Sequence, residues 1–496
     1  MTNPPLLLHS AHPEAGLEAV SLREERRIPF LALTCLIFFT TCGGAFGLEP
    51  LVGAVGPGRA VVLILVTPFL WSLPIALMVA ELATLMPAEG GYYVWIRDTF
   101  GPFWAVQQAC WTVSCAVVWL AMYPVLFVSY LGFLVPVEAG GAYPGVSSVL
   151  RWLLAILVIV FGMMLNLRGA REVGRSAKVS AYIVLGAFAV LMVAWLKRGP
   201  ALGLVEAMVR RDLASPHHGV LLLGLSYVVF NFSAWENAST YAAEVDRPQR
   251  NYPRALAMAL LTLVLCYLLP VVAGLSVTSE PAIWSADRGW PVIALLLGGR
   301  WLGALVAAAG LVSTWGLFNA QLLYVSRLPY VLASDGWLPK VLARVSPDGV
   351  APRMAIFLIC AVTALFATLS FGSLAVIQCV LYSAALTLEF LALVALRIRC
   401  PNAFRSFRVP GGWWGLAGVC ATPLAFAALV LCTTLRDWRL FPGQLAVVGG
   451  IVGMGVVLYF VRRRDASASA RCPLPMELAA ASAGDAEKYT PVCKSE

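Results

Sequence analysis

The chain has 496 residues, of which 60% are hydrophobic and 12% are charged, and its mean hydropathy is +0.82. A water-soluble protein is about one-quarter charged, so the composition excludes an ordinary soluble domain. The net charge of +9 comes from Lys and Arg in short runs between apolar stretches, without a basic face that carries interleaved aromatic residues. These features exclude a nucleic-acid-binding protein and predict a protein that lies in a lipid bilayer.

A helix needs about twenty apolar residues to cross the ~30 Å hydrocarbon core of a bilayer. About twelve stretches of the chain meet this requirement, which predicts an all-α membrane protein with about twelve transmembrane helices. The membrane domain is predicted at 29–461, between a cytoplasmic tail at 1–28 and a disordered cytoplasmic tail at 462–496. The twelve stretches are 29–55, 60–86, 102–134, 147–167, 177–196, 217–243, 254–278, 296–332, 353–370, 373–397, 414–435 and 442–461.

Positive charges predict the orientation of these spans. Cytoplasmic loops carry an excess of Lys and Arg, and the most basic loops all lie on one side if the number of spans is even. We therefore expect a multi-pass protein of the cell membrane with both termini in the cytoplasm. The loop between spans five and six, with Lys197, Arg198, Arg210 and Arg211, is an exception. The loops expected in the cytoplasm carry Arg23, Arg26, Arg27, Arg168, Arg171, Arg175, Lys178, Arg247, Arg250, Arg254, Lys340, Arg344, Arg353, Arg397, Arg399, Arg405, Arg408 and 462–464.

Two of the predicted spans are interrupted. The first contains GGAFG at 43–47, followed by Glu49 and Pro50, and the sixth contains NFSAWEN at 231–237. Paired interruptions five spans apart are typical of two inverted five-helix repeats, with helices 1 and 6 broken around a binding site at the membrane midplane. Glycines that serve close helix packing are the alternative. A glycine run followed directly by a carboxylate and a proline favours a functional break.

Four carboxylates lie within the spans, where ionisable groups are costly and often functional. Glu49 and Glu236 each lie in the first turn after a break, so each can either cap its half-helix or bind a cation or a proton. Glu81 in span two and Glu389 in span ten can take part in coupling. For these two, a structural partner in a neighbouring helix or at the membrane interface is the favoured interpretation.

The chemistry of a broken helix suits a small charged solute. A restarted half-helix presents N–H groups and a positive dipole end to a carboxylate, whereas freed carbonyl groups and acidic side chains suit an amine. Aromatic faces also attract amines, although aromatic residues in spans more often serve packing or anchor at the interface. Other candidate pocket residues are Tyr123, Trp235, Trp315, Asn319 and Tyr382.

Other classes of chemistry find no support in the sequence. It has no phosphate-cradling GxxxxGK[ST] motif, no CxxC pair and no Cys/His cluster with the spacing of metal ligands. We therefore expect a carrier rather than an enzyme, with no cofactor and no metal ion.

Several stretches, in the same order, resemble the amino acid–polyamine–organocation superfamily, and within it the polyamine and L-type amino acid uptake transporters of plants and protozoa. They extend over most of the chain, from about residue 30 to 410. The resemblance implies twelve spans, two inverted repeats and proton-driven uptake of polyamines or amino acids. The stretches are GGAFGLEP at 43–50, AELATLMPAEGGYYVWI at 80–96, GPFWAVQQACW at 101–111, YPVLFVSYL at 123–131, WENASTYAAEV at 235–245, LYSAALTLEFLALVALRIRCP at 381–401 and RVP at 408–410.

The resemblance also implies positions for the substrate contacts. The chain departs from the plant pattern at Pro50, where an acidic residue is expected after Glu49, and at Trp119 and Leu120, which replace an Asp-Asn pair. Fewer carboxylates at the site make a single amine easier to balance than a polycation. By position, the implied contacts are the backbone of Gly43, Gly44, Ala45 and Gly47 in span one, and Phe230, Asn231, Trp235 and Glu236 in span six.

The first functional expectation is a proton symporter for polyamines or amino acids that works by alternating access. An amino acid exchanger and a solute sensor that does not transport are the alternatives. Ser313 and Thr314 in span eight can bind sodium or bond back to their own helix, so sodium stays an alternative to the proton, and the proton carrier is not identified. The sequence offers no clear extracellular cysteine for a partner, so we expect no obligate partner subunit.

Overall fold

The computed structural model describes residues 28–86, 90–134, 148–214, 227, 231–240, 244–284, 289–345, 351–367, 372–403, 405–436 and 442–469. Within these ranges the chain forms α-helices, short 3₁₀ turns and a π turn, and an isolated backbone bridge joins Ile28 to Val245. The predicted all-α fold class is confirmed. Apart from Ile28, the predicted N-terminal tail lies outside the described residues.

Sixteen α-helices are described, and helix α3 below contains a π turn at Pro68–Ser72. Short 3₁₀ turns lie at Glu236–Thr240 and Lys340–Ala343. The helices are α1 (Phe30–Thr41), α2 (Glu49–Val55), α3 (Pro57–Leu85), α4 (Tyr92–Phe100), α5 (Pro102–Leu134), α6 (Ser148–Leu167), α7 (Ala170–Arg198), α8 (Leu202–Ala214), α9 (Pro248–Leu275), α10 (Pro281–Trp284), α11 (Gly289–Gly298), α12 (Arg300–Ser334), α13 (Arg353–Phe366), α14 (Gly372–Arg399), α15 (Gly412–Arg436) and α16 (Pro442–Ser469).

Nine of the described helices are long and apolar enough to cross a membrane, namely α3, α5, α6, α7, α9, α12, α14, α15 and α16. The other three predicted spans are not long continuous helices. The first is divided into α1 and α2, the sixth is interrupted at residues 233–235, and the ninth is α13, which has 14 residues. The described helices therefore agree with the predicted multi-pass architecture, including the breaks in helices 1 and 6.

The first break follows from backbone geometry that only glycine adopts without strain. Gly43, Gly44 and Gly47 have φ values of +64°, +103° and +92°, a region in which a Cβ atom clashes with the backbone. The helix restarts at Glu49, with Pro50 in its first turn. Proline suits this position because its missing N–H would have no partner inside the helix. Pro50, a departure from the plant pattern, thus helps to restart the helix.

The first span lies at the centre of the bundle. Helix α1 packs against α7, α9 and α12, and the long helix α12 packs in turn against α5 and α7. Ten of the twelve residues of α1 are buried, so its break lies within the protein and away from lipid. At the other end of the chain, α16 continues to Ser469, past the predicted end of the membrane domain at 461. Residues 470–496 of the predicted tail lie outside the described residues.

Candidate functional site

The carbonyl groups freed by the first break are held by side chains from three other parts of the fold. A freed carbonyl at membrane depth must find a donor in protein, water or substrate. Here each donor ties the break to a different element, so the unwound segment is built into the bundle. The pairs are Gly43 with the Ser313 hydroxyl of α12, Ala45 with Trp290 Nε1 of α11 at 2.6 Å, and Gly47 with Asn231 Nδ2 of span six at 3.0 Å.

Glu49 occupies the positive end of the restarted half-helix. Its Oε2 accepts a hydrogen bond of 2.7 Å from the N–H of Gly47, and its Oε1 accepts one of 3.4 Å from the N–H of Trp290. The carboxylate therefore lies at the positive dipole end of α2, while its hydrogen bonds go to backbone groups outside that helix. The N–H groups of Ala45 and Phe46 have no hydrogen-bond partner among the described residues.

The sixth-span break is organised around Tyr382 of α14. Ala234 has a φ of +74°, and its N–H donates a hydrogen bond of 3.0 Å to the Tyr382 hydroxyl. The same hydroxyl donates to Oε2 of Glu236 at 3.0 Å. Tyr382 thus connects the unwound backbone of span six to the carboxyl group that follows it.

The π turn of α3 holds the other side of this break. Ser72 Oγ donates to the carbonyl of Phe232 at 3.0 Å, and Trp71 Nε1 donates to Ser233 Oγ at 3.1 Å. A π turn widens a helix locally and is often found at functional sites. Both breaks are therefore supported by side chains from neighbouring spans.

A cavity lies between the two breaks and the helices α5 and α12. It leaves about 40 Å³ open to water-sized molecules, which is enough for a few waters but not for a diamine. Gly47, Tyr123 and Asn231, all predicted site residues, line it. The remaining lining residues are Thr40, Thr41, Cys42, Phe46, Trp119, Leu126, Tyr130, Ala234, Thr314, Leu317 and Gln321.

A second, smaller cavity lies beside the Glu236 carboxyl. It leaves about 10 Å³ and is lined by Glu236 and Tyr382 from the predicted set. Trp119 lines both cavities. The other lining residues are Thr112, Cys115, Ala116, Asn237 and Tyr324.

Both ends of the site are covered in this conformation. On one face of the bundle, Ile28 exchanges backbone hydrogen bonds with Glu244 and Asp246 at 2.8 and 3.0 Å. On the opposite side of the break, Trp290 is fully buried and bonds to the Ala45 carbonyl.

Several predicted pocket residues lie away from the two cavities. Trp235 is fully buried and donates to the Phe232 carbonyl at 2.9 Å. Trp315 donates to Ser176 of α7 at 3.3 Å, and Asn319 accepts a bond of 3.0 Å from an asparagine of α6. Phe230 lies outside the described residues.

Glu81 and Glu389, the remaining predicted carboxylates, differ sharply in their surroundings. Glu81 accepts a bidentate pair of hydrogen bonds from Arg397, one of them 2.7 Å, and forms an ion pair of 3.2 Å with Arg405. It also accepts a bond of 2.8 Å from the N–H of Val409, within the RVP stretch. Glu389 accepts one bond of 3.0 Å from the Gln108 amide.

Three residues with a clear place in the site were not among the predicted ones. Trp290 covers the first break, Gln321 donates to the Tyr123 hydroxyl at 2.8 Å, and Tyr324 lines the second cavity. Spacing could not identify Trp290, because it lies in the short helix α11 between predicted spans. Gln321 carried a weak signal, as an uncharged polar residue two positions after Asn319 in a long apolar span.

The hydroxyl groups of span eight also have defined partners. Thr314 bonds back to the carbonyls of Gly310 and Leu311, each at 3.0 Å, which is the common arrangement of a hydroxyl in a helix. Ser313 instead donates to the Gly43 carbonyl. Within the described part of the chain, no group of three or more His, Cys, Asp or Glu residues is placed to hold a metal ion.

Comparison with known proteins agrees with this architecture. Residues 28–454 match the family model described as amino acid permease. The chain is 36% identical over 442 residues to polyamine transporter PUT1 of Oryza sativa subsp. japonica, covering 87% of this chain and 78% of that protein. It is 32% identical over 438 residues to polyamine transporter RMV1 of Arabidopsis thaliana, covering 87% and 85%.

A bacterial exchanger is a more distant relative. Serine/threonine exchanger SteT of Bacillus subtilis (strain 168) is 24% identical over 395 residues, covering 79% of this chain and 86% of that protein. The family model covers most of the chain, and two relatives above 30% identity agree with it. The chain therefore belongs to the amino acid permease family of the amino acid–polyamine–organocation superfamily, and it is a multi-pass membrane transporter rather than an enzyme.

Proposed function

We propose that this protein is a proton-coupled symporter that carries a small organic amine, with polyamines as the first candidates, across the cell membrane by alternating access. The amine lies between the two broken helices, and its ammonium group pairs with Glu236. Both termini face the cytoplasm, and the protein works without an obligate partner subunit. The plant relatives named as polyamine transporters support this class of substrate.

The observation that carries the proposal is the state of the Glu236 carboxyl. It is buried, with 2% of the residue exposed, and its described side-chain partner is the uncharged hydroxyl of Tyr382. Neither Lys nor Arg forms an ion pair with it among the described residues. A buried carboxylate without a cation is costly, and a bound ammonium group removes that cost.

The positive end of the first break favours an amine over an amino acid. A zwitterionic substrate also needs donors for its carboxylate, and the N-terminus of a half-helix usually provides them. In this chain Glu49 already accepts a bond of 2.7 Å from Gly47 and lies at that end. A second carboxylate there would repel the first, whereas a simple amine has no such group.

Amino acid exchange is the second candidate function. The N–H groups of Ala45 and Phe46 have no partner among the described residues, and two adjacent N–H groups can hold a carboxylate. The relative named as a serine/threonine exchanger supports this candidate. Amino acid exchange differs from proton symport of an amine in its substrate and in its coupling. An exchanger needs a solute on the opposite side of the membrane and no proton.

Alternating access requires the two covered ends to open in turn. Opening the face that carries Ile28 breaks its two bonds to Glu244 and Asp246, which follow span six, and it also exposes the ion pair between Arg327 and Glu244, which is 2.8 Å long. Opening the other face moves Trp290 away from Ala45. Each transition therefore exchanges a few identifiable contacts, as expected for rocking of one bundle against another.

Transport by purified protein in liposomes tests the proposal. We expect labelled putrescine or spermidine to accumulate when an inward proton gradient is imposed, and Glu236→Gln to lower uptake at least tenfold. Glu206→Gln is the matched control, because Glu206 is an exposed residue of α8 that pairs only with Arg210 among the described residues. Gradient-independent exchange of serine with no amine uptake would select the second candidate. Wild-type uptake by Glu236→Gln would refute the assigned site.

A further inference from the structure

Glu389 is a buried carboxyl that the proposed amine site does not use. It lies on α14, seven residues after Tyr382, so the two side chains share a face two turns apart, about 10.5 Å along the axis. Only 2% of the residue is exposed. Its Oε1 accepts the bond from Gln108, and its Oε2 has no partner among the described residues.

Three other glutamates described above, Glu81, Glu244 and Glu49, have partners for their carboxylates, either a cationic side chain or backbone N–H groups. Glu81 is paired with Arg397, and Glu244 is paired with Arg327 at 2.8 Å. Glu49, described above, accepts hydrogen bonds from backbone N–H groups. Like Glu236, Glu389 has no cationic partner among the described residues. A carboxyl in this environment is far more easily buried when it carries a proton.

The groups that face Glu389 come from several elements. The Gln108 amide of α5 donates to its Oε1, while Tyr92 of α4 and Glu236 of span six are titratable groups close enough to interact with it electrostatically. On α14 itself, Arg397 lies eight residues further and is bound to Glu81 of α3. From α15 and α16, no ion pair with Glu389 is found among the described residues.

The volume available near Glu389 distinguishes between an ammonium group and a proton as the ligand of its carboxyl group. The cavity beside Glu236 leaves only about 10 Å³, and Glu389 is not among its lining residues. An ammonium group needs a volume of its own, about that of a water molecule, whereas a proton needs none. We propose that Glu389 binds the coupling proton, with Gln108 as the residue that positions its carboxyl group.

The assignment rests on the proton symport proposed above and explains how two ligands share one site. In the loaded carrier, the proton converts the Glu389 carboxylate to a neutral carboxylic acid. Glu236 stays ionised and pairs with the ammonium group, so for a substrate with a single amine these three groups sum to zero charge and can be occluded together. When the site opens on the other side, the O–H bond of Glu389 breaks and the proton passes to water. The carboxylate that remains keeps the Gln108 hydrogen bond.

Proteoliposomes that contain a pH-sensitive dye and labelled putrescine test the assignment. For Glu389→Gln we expect at least a tenfold loss of gradient-driven accumulation and a loss of proton entry accompanying putrescine. Putrescine counterflow without a gradient should remain measurable, because the amine site is present. Gln resembles the protonated carboxyl in size and charge, so this variant should fold, and Glu206→Gln is again the control.

A second variant keeps the test independent of folding. Gln108→Leu removes the amide but keeps the carboxyl, so we expect the pH profile of counterflow to shift while proton coupling persists.

If Glu389→Gln accumulates putrescine and takes up protons as the wild type does, Glu389 is not the proton site. If it instead raises the KM for putrescine tenfold but not that for butylamine, Glu389 binds a second ammonium group, and the assignment is wrong. Wild-type uptake without proton entry would refute the proton coupling itself.

Discussion

The side chain of Asn231 in span six donates a hydrogen bond of 3.0 Å to the carbonyl of Gly47 in span one. The two residues lie in the two broken spans, and both line the larger cavity. The same amide nitrogen also donates to the carbonyl of Tyr227 at 2.8 Å. One asparagine therefore joins the two broken helices.

Replacing Asn231 should lower the transport rate by more than the loss of folding stability alone would explain. Asn231→Leu leaves the Gly47 carbonyl without this donor, at a cost of about 1–3 kcal/mol, and it loosens the register between the two breaks. We expect at least a tenfold lower kcat/KM for amine uptake, normalised to folded protein. Asn166→Leu is the matched control, because Asn166 is a buried residue that bonds to Asn319 at 3.0 Å away from the cavities. Equal losses of uptake in both variants would contradict this role.

Glycine is required in the first break by both conformation and space. At Gly44 the φ is +103°, and a Cβ atom would lie 2.8 Å from Val184 Cγ1. Gly44→Ala should therefore abolish transport or strongly reduce the yield of folded protein. Gly186→Ala, two residues from Val184 in α7, meets nothing within 4 Å and should be neutral or stabilising by up to about 1 kcal/mol. Thermal unfolding in detergent measures the stability of both variants, and amine uptake measures their transport. A fully active Gly44→Ala variant would contradict the expectation.

Trp119 should influence which amines are accepted, because it lines both cavities. Trp119→Ala removes a large side chain from both linings, so we expect the ratio of spermidine to putrescine kcat/KM to rise several-fold. Trp111→Ala is the control, since Trp111 packs in a separate apolar cluster with Leu381 and Ala385. Competition between labelled putrescine and unlabelled amines of increasing length measures the effect. An unchanged ratio would show that Trp119 does not limit substrate length.

The ion pairs of Glu81 should matter for stability and leave substrate preference unchanged. Glu81→Gln leaves the guanidinium groups of Arg397 and Arg405 buried without their counter-charge, which typically costs about 3–5 kcal/mol. Glu206→Gln removes a pair whose members are 62% and 79% exposed, and it should cost less than about 1 kcal/mol. The unfolding midpoint of the detergent-solubilised protein tests this difference. Altered amine selectivity in stable Glu81→Gln protein would instead place Glu81 in transport.

Much of the architecture could be predicted from the sequence, for a simple physical reason. A helix that crosses a bilayer needs a long apolar run, and such runs are visible in the residues themselves. The break at Gly43 and Gly44 could also be predicted, because glycine alone adopts the required backbone conformation without strain. The family resemblance and the two interruptions, five spans apart, pointed to the same central site.

Only the tertiary structure decided what each polar group of that site does. Glu81 and Glu389 look alike in the sequence, each an acid within an apolar run. Their difference arises because Arg397, eight residues beyond Glu389 on the same helix, pairs with Glu81 of another helix. Likewise Glu49 binds backbone N–H groups, and Trp290 reaches the Ala45 carbonyl from a short helix far along the chain. Such pairings depend on long-range packing, because which charge meets which partner is fixed only when separate helices come together.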